Sequence, residues 1–139
     1  MRFLMIMYPD RAAESAATPD PKAVETMMKY NEELAKAGVL LSLDGLHPTS
    51  KGARIHFPGG KPTVQDGPFT EAKEIVGGFW MLQVKSKEEA IEWAKRVPAA
   101  GTNFVELRQV FEMSDFPEDV QRAADNSTVK AQVEKHARA

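Results

Sequence analysis

Two stretches of this chain, Arg2 to Tyr8 and Ile75 to Val84, are apolar on both alternations of a strand. A strand with one face in water alternates apolar and polar residues; one that is apolar throughout needs cover on both sides. In the first stretch Phe3, Met5 and Met7 share one face and Leu4, Ile6 and Tyr8 the other. In the second, Phe79 and Met81 oppose Trp80 and Leu82. Whichever way the strands are phased, each demands a layer above and a layer below.

The intervening segments supply one of those layers. Asp20-Pro21 reads as a helix start, an acceptor at the cap followed by proline at the first helical position. Val24, Met27, Met28, Asn31, Leu34 and Ala35 recur at helical spacing, with Lys36 in the last turn and Gly38 as a C-terminal cap, so a helix is predicted over 21–37. Ser86 and Glu89 form a capping box before the apolar face Ala90, Ile91, Trp93, Ala94 and Val97, and Pro98 stops that second helix. Val39 to Leu43 reads as extended. Phe104 to Glu112 reads as a last strand, with Val105, Leu107 and Phe111 opposite Phe104, Glu106, Arg108 and Val110. Ala53 to Phe57 and Pro62 to Gln65, joined by Pro58-Gly59-Gly60-Lys61, read as a hairpin. Residues 10–18 read as a loop, and Gly77-Gly78 as a bulge or a close backbone approach. A short acidic helix is expected from Asp115 or Pro117, then a loose helical tail over 126–139.

Without the inserted hairpin the order is βαββαβ, an α+β chain in the ferredoxin-like split arrangement. Its two helices cover one sheet face. Leaving the other apolar face in water costs several kcal/mol at about 25 cal/mol per Å². The simplest cover is the same face of an identical chain, which predicts a homodimer. Residues 1–113 then form the domain and 114–139 a C-terminal extension.

Composition narrows the function classes. The 139 residues suit one domain, and 42% hydrophobic content is enough for its core. A net charge of −2 offers no basic field for nucleic acid and no polybasic membrane patch. The absence of cysteine excludes disulfides, a cysteine nucleophile and thiolate-bound zinc or iron–sulfur clusters. No apolar run nears the roughly 20 residues of a membrane span, and the start is too short for a secretory signal, so cytoplasmic residence is expected. There is no Gly-x-Gly-x-x-Gly, P-loop or Gly-x-Ser-x-Gly, and no organic cofactor is implied.

The densest polar cluster beside the core is Asp66 to Glu74, where Asp66, Glu71 and Glu74 lie near Lys73. A buried carboxylate beside an amine can serve as a general base with an electrostatic partner. Asp-Gly-Pro is also ordinary turn chemistry, and Thr70 to Glu74 reads equally as a solvated connector. His47 follows Asp44-Gly45-Leu46, His56 lies in a strand and His136 in the tail; none stands at helical ligand spacing, and no metal site is expected. Asn31, beside Tyr30 on the apolar helix stripe, is either a satisfied buried amide or a cavity-lining group. Glu106 and Arg108 read as a surface ion pair, or Arg108 as the holder of a ligand carboxylate.

The string Asp66-Gly67-Pro68-Phe69-Thr70-Glu71-x-Lys73-Glu74, then Gly77-Gly78-Phe79 and Glu89-Ala90-x-x-Trp93-Ala94, resembles the DGPF-domain subgroup of the YCII-related family. The opening Met-x-Phe-Leu-Met-Ile-Met-Tyr, Ala37-Gly38-Val39-Leu40 and Gly45-Leu46 fit as well. The likeness covers about residues 1–111. It implies a ferredoxin-like fold that dimerises into an α/β barrel. In the broader family a histidine and an aspartate in a dimer-related cavity suggest enzymes; here Asp66 matches the aspartate, whereas the first helix has Tyr30-Asn31 and no histidine. The resemblance also implies a setting with extracytoplasmic-function sigma factors.

Three functions compete. One is an enzyme acting on a small molecule at a cavity near the DGPF segment, with Asp66 as the acid–base group, Lys73 or Arg108 as anion partner, His47 assisting, and Tyr30, Asn31 and Phe69 against the ligand. The second is a non-catalytic ligand-binding or regulatory partner, linked for instance to an extracytoplasmic-function sigma factor. The third is a domain that only dimerises.

Overall fold

The computed structural model describes residues 1–15 and 18–137. The four-stranded sheet is built from β1 (Arg2–Pro9), β2 (Leu40–Gly45), β5 (Gly78–Gln83) and β6 (Thr102–Gln109), in the order β2-β5-β1-β6 with every neighbour antiparallel. Two helices connect its strands: α2 (Pro21–Lys36) joins β1 to β2, and α3 (Lys87–Lys95) joins β5 to β6. This is the ferredoxin-like arrangement. The hairpin between β2 and β5 is β3 (Ala53–His56) paired with β4 (Thr63–Asp66) as a separate two-stranded sheet.

Local chemistry explains most boundaries. Helix α2 starts on Pro21, although the Asp20 side chain makes no capping hydrogen bond. It ends in a Schellman motif: Gly38, at φ +74°, donates to Ala35 O at 3.0 Å and Val39 donates to Leu34 O at 3.2 Å. Helix α3 is capped as expected by Ser86 Oγ, which accepts from Glu89 N at 3.1 Å. Glu89 reaches back to Lys85 N at 2.8 Å, one residue earlier than the standard box. Residues 11–15, expected as loop, form the short helix α1 (Arg11–Ser15) because Asp10 Oδ1 accepts from Ala13 N at 2.7 Å and the run is alanine-rich. Strand β5 begins three residues later than its apolar run. Gly77 and Gly78 are sites of close approach: a Cβ on Gly77 would strike the Pro9 ring at 2.7 Å, and one on Gly78 would lie 2.9 Å from Asp44 O.

The helix-facing side of the sheet holds the core, with Phe3, Met5, Trp80 and Leu82 packed on Tyr30 and Leu34 of α2 and on Ala90 and Trp93 of α3. The other side carries Leu4, Ile6, Tyr8, Phe79, Met81 and Phe104, all half-buried. After β6 come α4 (Glu118–Ala124) and α5 (Ser127–Ala137), neither of which has a buried residue.

Candidate functional site

Asp66 ends β4 and opens the segment that packs against one end of the sheet, where β1 and β2 finish and β5 and β6 begin. Four neighbours, Gly52, Thr49, Arg54 and Arg11, hold this segment. Gly67 N donates to Gly52 O at 3.0 Å, and Gly67 sits so close to the Thr49 carbonyl that any Cβ there would overlap it. Phe69 N donates to Thr49 Oγ1 at 3.2 Å, while Thr49 N donates to Glu14 Oε1 at 2.9 Å, tying the segment to α1. The Phe69 ring is buried, and the Arg54 guanidinium of the hairpin lies over it, 4.1 Å from the centroid. Arg11 of α1 reaches the carbonyls of Thr70 and Ala72 at 3.4 and 3.5 Å.

The backbone around Asp66 is thus fixed while its side chain is not. The side chains of Asp66, His47 and Lys73 are all exposed, and among the described residues none of the three has a hydrogen-bond or ion-pair partner. No hydrogen bond or ion pair joins any two of these three side chains. No group of three His, Asp or Glu side chains among the described residues is arranged to hold a metal ion.

Tyr30 and Asn31 point into the core. Tyr30 donates to the Trp93 carbonyl at 2.8 Å, and burial raises its pKa, with Glu33 adding to the shift and Arg96 opposing it. Asn31 Oδ1 accepts from Trp80 Nε1 at 2.7 Å, and its amide nitrogen lies 3.4 Å from Met28 Sδ. Of the two readings open for Asn31, these contacts describe the satisfied buried amide.

The strand register organises the open sheet face into two cross-strand rows. Asp44, Phe79, Ile6 and Glu106 stand side by side across β2, β5, β1 and β6, and Ser42, Met81, Leu4 and Arg108 form the adjacent row. Each row has two apolar residues at its centre and polar residues at both ends. Glu106 and Arg108 pair at 3.5 Å on the edge strand. Tyr8 and Phe104 stack at 4.4 Å beyond the first row, toward the Asp66 segment. Apolar centre and polar rim are the pattern of a surface that meets a partner. Sequence phasing showed both faces of β1 and β5 to be apolar, but the rows needed the register. The contributions of Glu14, Thr49 and Arg11 were also missed; Asp10 three residues ahead of Ala13 was the available signal for α1.

Open hollows lie elsewhere among the described residues. One, of about 670 Å³, lies between α4 and α5, and another, of about 430 Å³, runs between α3 and β6. Neither is lined by Asp66, His47 or Lys73. No helix among the described residues is long and apolar enough to cross a membrane.

The profile of the YCII-related domain matches residues 1–114. An uncharacterised protein of Rhizobium meliloti (strain 1021) is 26% identical over 123 residues, spanning 84% of this chain and 99% of the relative. Among solved structures, this chain is similar to 5-chloro-2-hydroxyhydroquinone dehydrochlorinase (TftG) of Burkholderia phenoliruptrix AC1100, solved with 2,5-dihydroxybenzoquinone. The likeness has 12% identity and a TM-score of 0.48, and covers 84% of this chain and all of that one.

Proposed function

This chain belongs to the YCII-related domain family, and we propose that it is a DGPF-type, small-molecule-acting protein that works as a homodimer, its ligand held between two facing sheets. The observation that supports this is the pair of cross-strand rows, apolar at their centres and polar at their ends. Four strands about 4.8 Å apart, each about 20–27 Å long, present a face of roughly 400–500 Å², a little over half of one partner's roughly 800 Å² in a standard interface, so flanking segments share the contact in this reading. Two such faces bury their apolar centres against each other. Where the side chains do not meet they leave a pocket rimmed by Asp44, Glu106 and Arg108. Arg108 is the anion partner in this reading, because a guanidinium matches a carboxylate in a bidentate fork.

Catalysis enters through Asp66. Its backbone is fixed by Gly67 and Phe69, and its carboxylate has no partner among the described residues. A second chain laid over it would desolvate that carboxylate, the environment in which a carboxylate becomes a competent acid–base group, with His47 and Lys73 assisting. A regulatory role, such as partner to an extracytoplasmic-function sigma factor, uses the same pocket without an acid–base group.

Light scattering at micromolar concentration and a thermal-shift screen of small carboxylic acids test the reading. A dimer, with an acid that raises the melting temperature in wild type and not in Arg108→Ala, is the expected result. A monomer, or stabilisation indifferent to Arg108, would overturn it. Asp66→Asn then separates the roles: binding kept with turnover lost identifies an enzyme, and a ligand that is bound and never turned over by either chain identifies a regulatory protein.

A further inference from the structure

Strand β6 ends the sheet: it has β1 on one side and, among the described residues, no strand on the other. Ile91 and Ala94 of α3 line an open hollow with Val105 and Leu107 of β6, so α3 does not roof this edge. The phase of the edge follows from its inner side. Val110 N donates to Arg2 O at 2.9 Å, and the register sets Leu4 against Arg108 and Ile6 against Glu106. Antiparallel pairs alternate between bonded and unbonded. Glu106 and Arg108 therefore direct their backbone groups to β1, while Val105, Leu107 and Gln109 turn theirs outward. The 2.9 Å bond from Val84 N to Met1 O agrees, since it turns the odd-numbered side of β1 toward β5.

A long unpaired edge is a template for another strand unless something blunts it. At the opposite end of the sheet β2 slips register between Leu40 and Ser42, a bulge of the kind that protects an edge. By contrast, β6 is regular from Phe104 to Gln109 and carries one charge of each sign, Glu106 and Arg108.

Those two charges select a register for pairing β6 with itself. Centred on Leu107, an antiparallel pair sets Glu106 opposite Arg108 of a second copy and Arg108 opposite its Glu106. Both are unbonded pairs, whose side chains stand closest across the ladder. The outward groups of Val105, Leu107 and Gln109 bond across the seam, and Phe104 meets Val110 at either end. Other centres between Val105 and Gln109 fail. On Glu106 or on Arg108, like charges stand face to face; on Gln109, Glu106 meets Glu112; on Val105, neither charge meets its opposite. The Leu107 register also extends the 3.5 Å pair along each strand into four charges of alternating sign.

We infer that β6 is a docking edge for β6 of a second copy, the two strands antiparallel about Leu107. The contact uses the edge of the sheet and not its face, so it holds or fails apart from any pairing of faces. Five paired residues a side bury well under the roughly 1,200 Å² of a stable complex, so the seam forms at high protein concentration and adds to whatever species exists at micromolar concentration.

Sedimentation from micromolar to near-millimolar concentration should show this added mass in wild type. Glu106→Arg and Arg108→Glu each set like charges opposite one another, and each should weaken the association at least roughly tenfold. The two variants mixed should associate with each other, and the chain carrying both changes should recover, because its charges alternate again. Hydrogen exchange reads the register: the amides of Val105, Leu107 and Gln109 should slow as concentration rises, while those of Glu106 and Arg108, already bonded to β1, should not change. No added mass in wild type, association indifferent to the single charge changes, or a mixture that does not recover would each overturn the inference. So would association that leaves the three outward amides as fast as before.

Discussion

Trp80 Nε1 donates a 2.7 Å hydrogen bond to Asn31 Oδ1, joining the central strand β5 to the buried face of α2. Both partners are buried, so neither can turn to water when the other is removed. Asn31→Leu should therefore cost about 1–3 kcal/mol, because it strands an indole N–H. At this chain length that is a fall of roughly 3–5 °C in melting temperature per kcal/mol. Asn31→Leu combined with Trp80→Phe should cost less than the sum of the single changes, since the stranded donor is gone. Thermal unfolding of the four chains of the cycle measures this, and strict additivity would show that the bond is energetically idle.

Gly67 permits a close passage of backbone that no other residue allows. A Cβ there overlaps the Thr49 carbonyl and lies 3.3 Å from Gly52 O, and both are main-chain atoms that cannot swing away. Gly67→Ala should force the Thr49–Gly52 turn outward, break the Phe69 N–Thr49 contact and destabilise the chain by about 1–3 kcal/mol. Gly45→Ala is the control, because open space surrounds that position. It should stay within about 0.5 kcal/mol of wild type. Hydrogen exchange at the Gly67 and Phe69 amides should quicken in the first variant only.

Burial disfavours the Tyr30 phenolate and so raises the pKa of the folded chain, while the unfolded chain loses this proton near its ordinary value of about pH 10. The stability that this difference contributes is complete below about pH 10 and is lost as pH rises from there toward the raised folded value. Wild type should lose melting temperature steeply on the alkaline side. Tyr30→Phe should start lower at neutral pH, having lost its bond to the Trp93 carbonyl, yet fall less steeply above pH 10. Parallel slopes for the two chains would show that another group governs alkaline unfolding.

The fold was legible because its signals are local. Gly38, Ser86 and Pro98 mark helix ends through backbone chemistry that needs no tertiary context. The unbroken apolar runs of β1 and β5 announced a sheet with two apolar faces. Less was legible where the outcome depends on which strands meet. The row that sets Asp44 and Glu106 on either side of Phe79 and Ile6 draws on four strands widely separated in sequence. Asp66 was found as a residue type in a recognisable string, but its setting depends on Thr49, Glu14 and Arg54, none of which belongs to that string. Helix α1 was missed because a five-residue helix has too little periodicity to detect, and only its cap speaks for it.

The open sheet face gives the most direct prediction about assembly. Ile6 sits at the centre of its row, between Phe79 and Glu106, on a face that makes no contribution to the helix-side core. A lysine there keeps the strand backbone and leaves Phe3, Met5 and the two covering helices untouched. In a single chain its long stem can lie along Leu4 or Tyr8 and carry the ammonium to water at little cost. In a face-to-face dimer the same ammonium, and its symmetry mate, must enter the dry centre of the interface, where an unpaired charge costs several kcal/mol. Ile6→Lys should therefore keep its far-ultraviolet circular dichroism and fall from the mass of two chains to one in light scattering. Arg108→Lys at the rim should leave the mass unchanged, since rim charges contribute little to association. A dimer that tolerates Ile6→Lys would place the contact between copies on a surface other than this sheet.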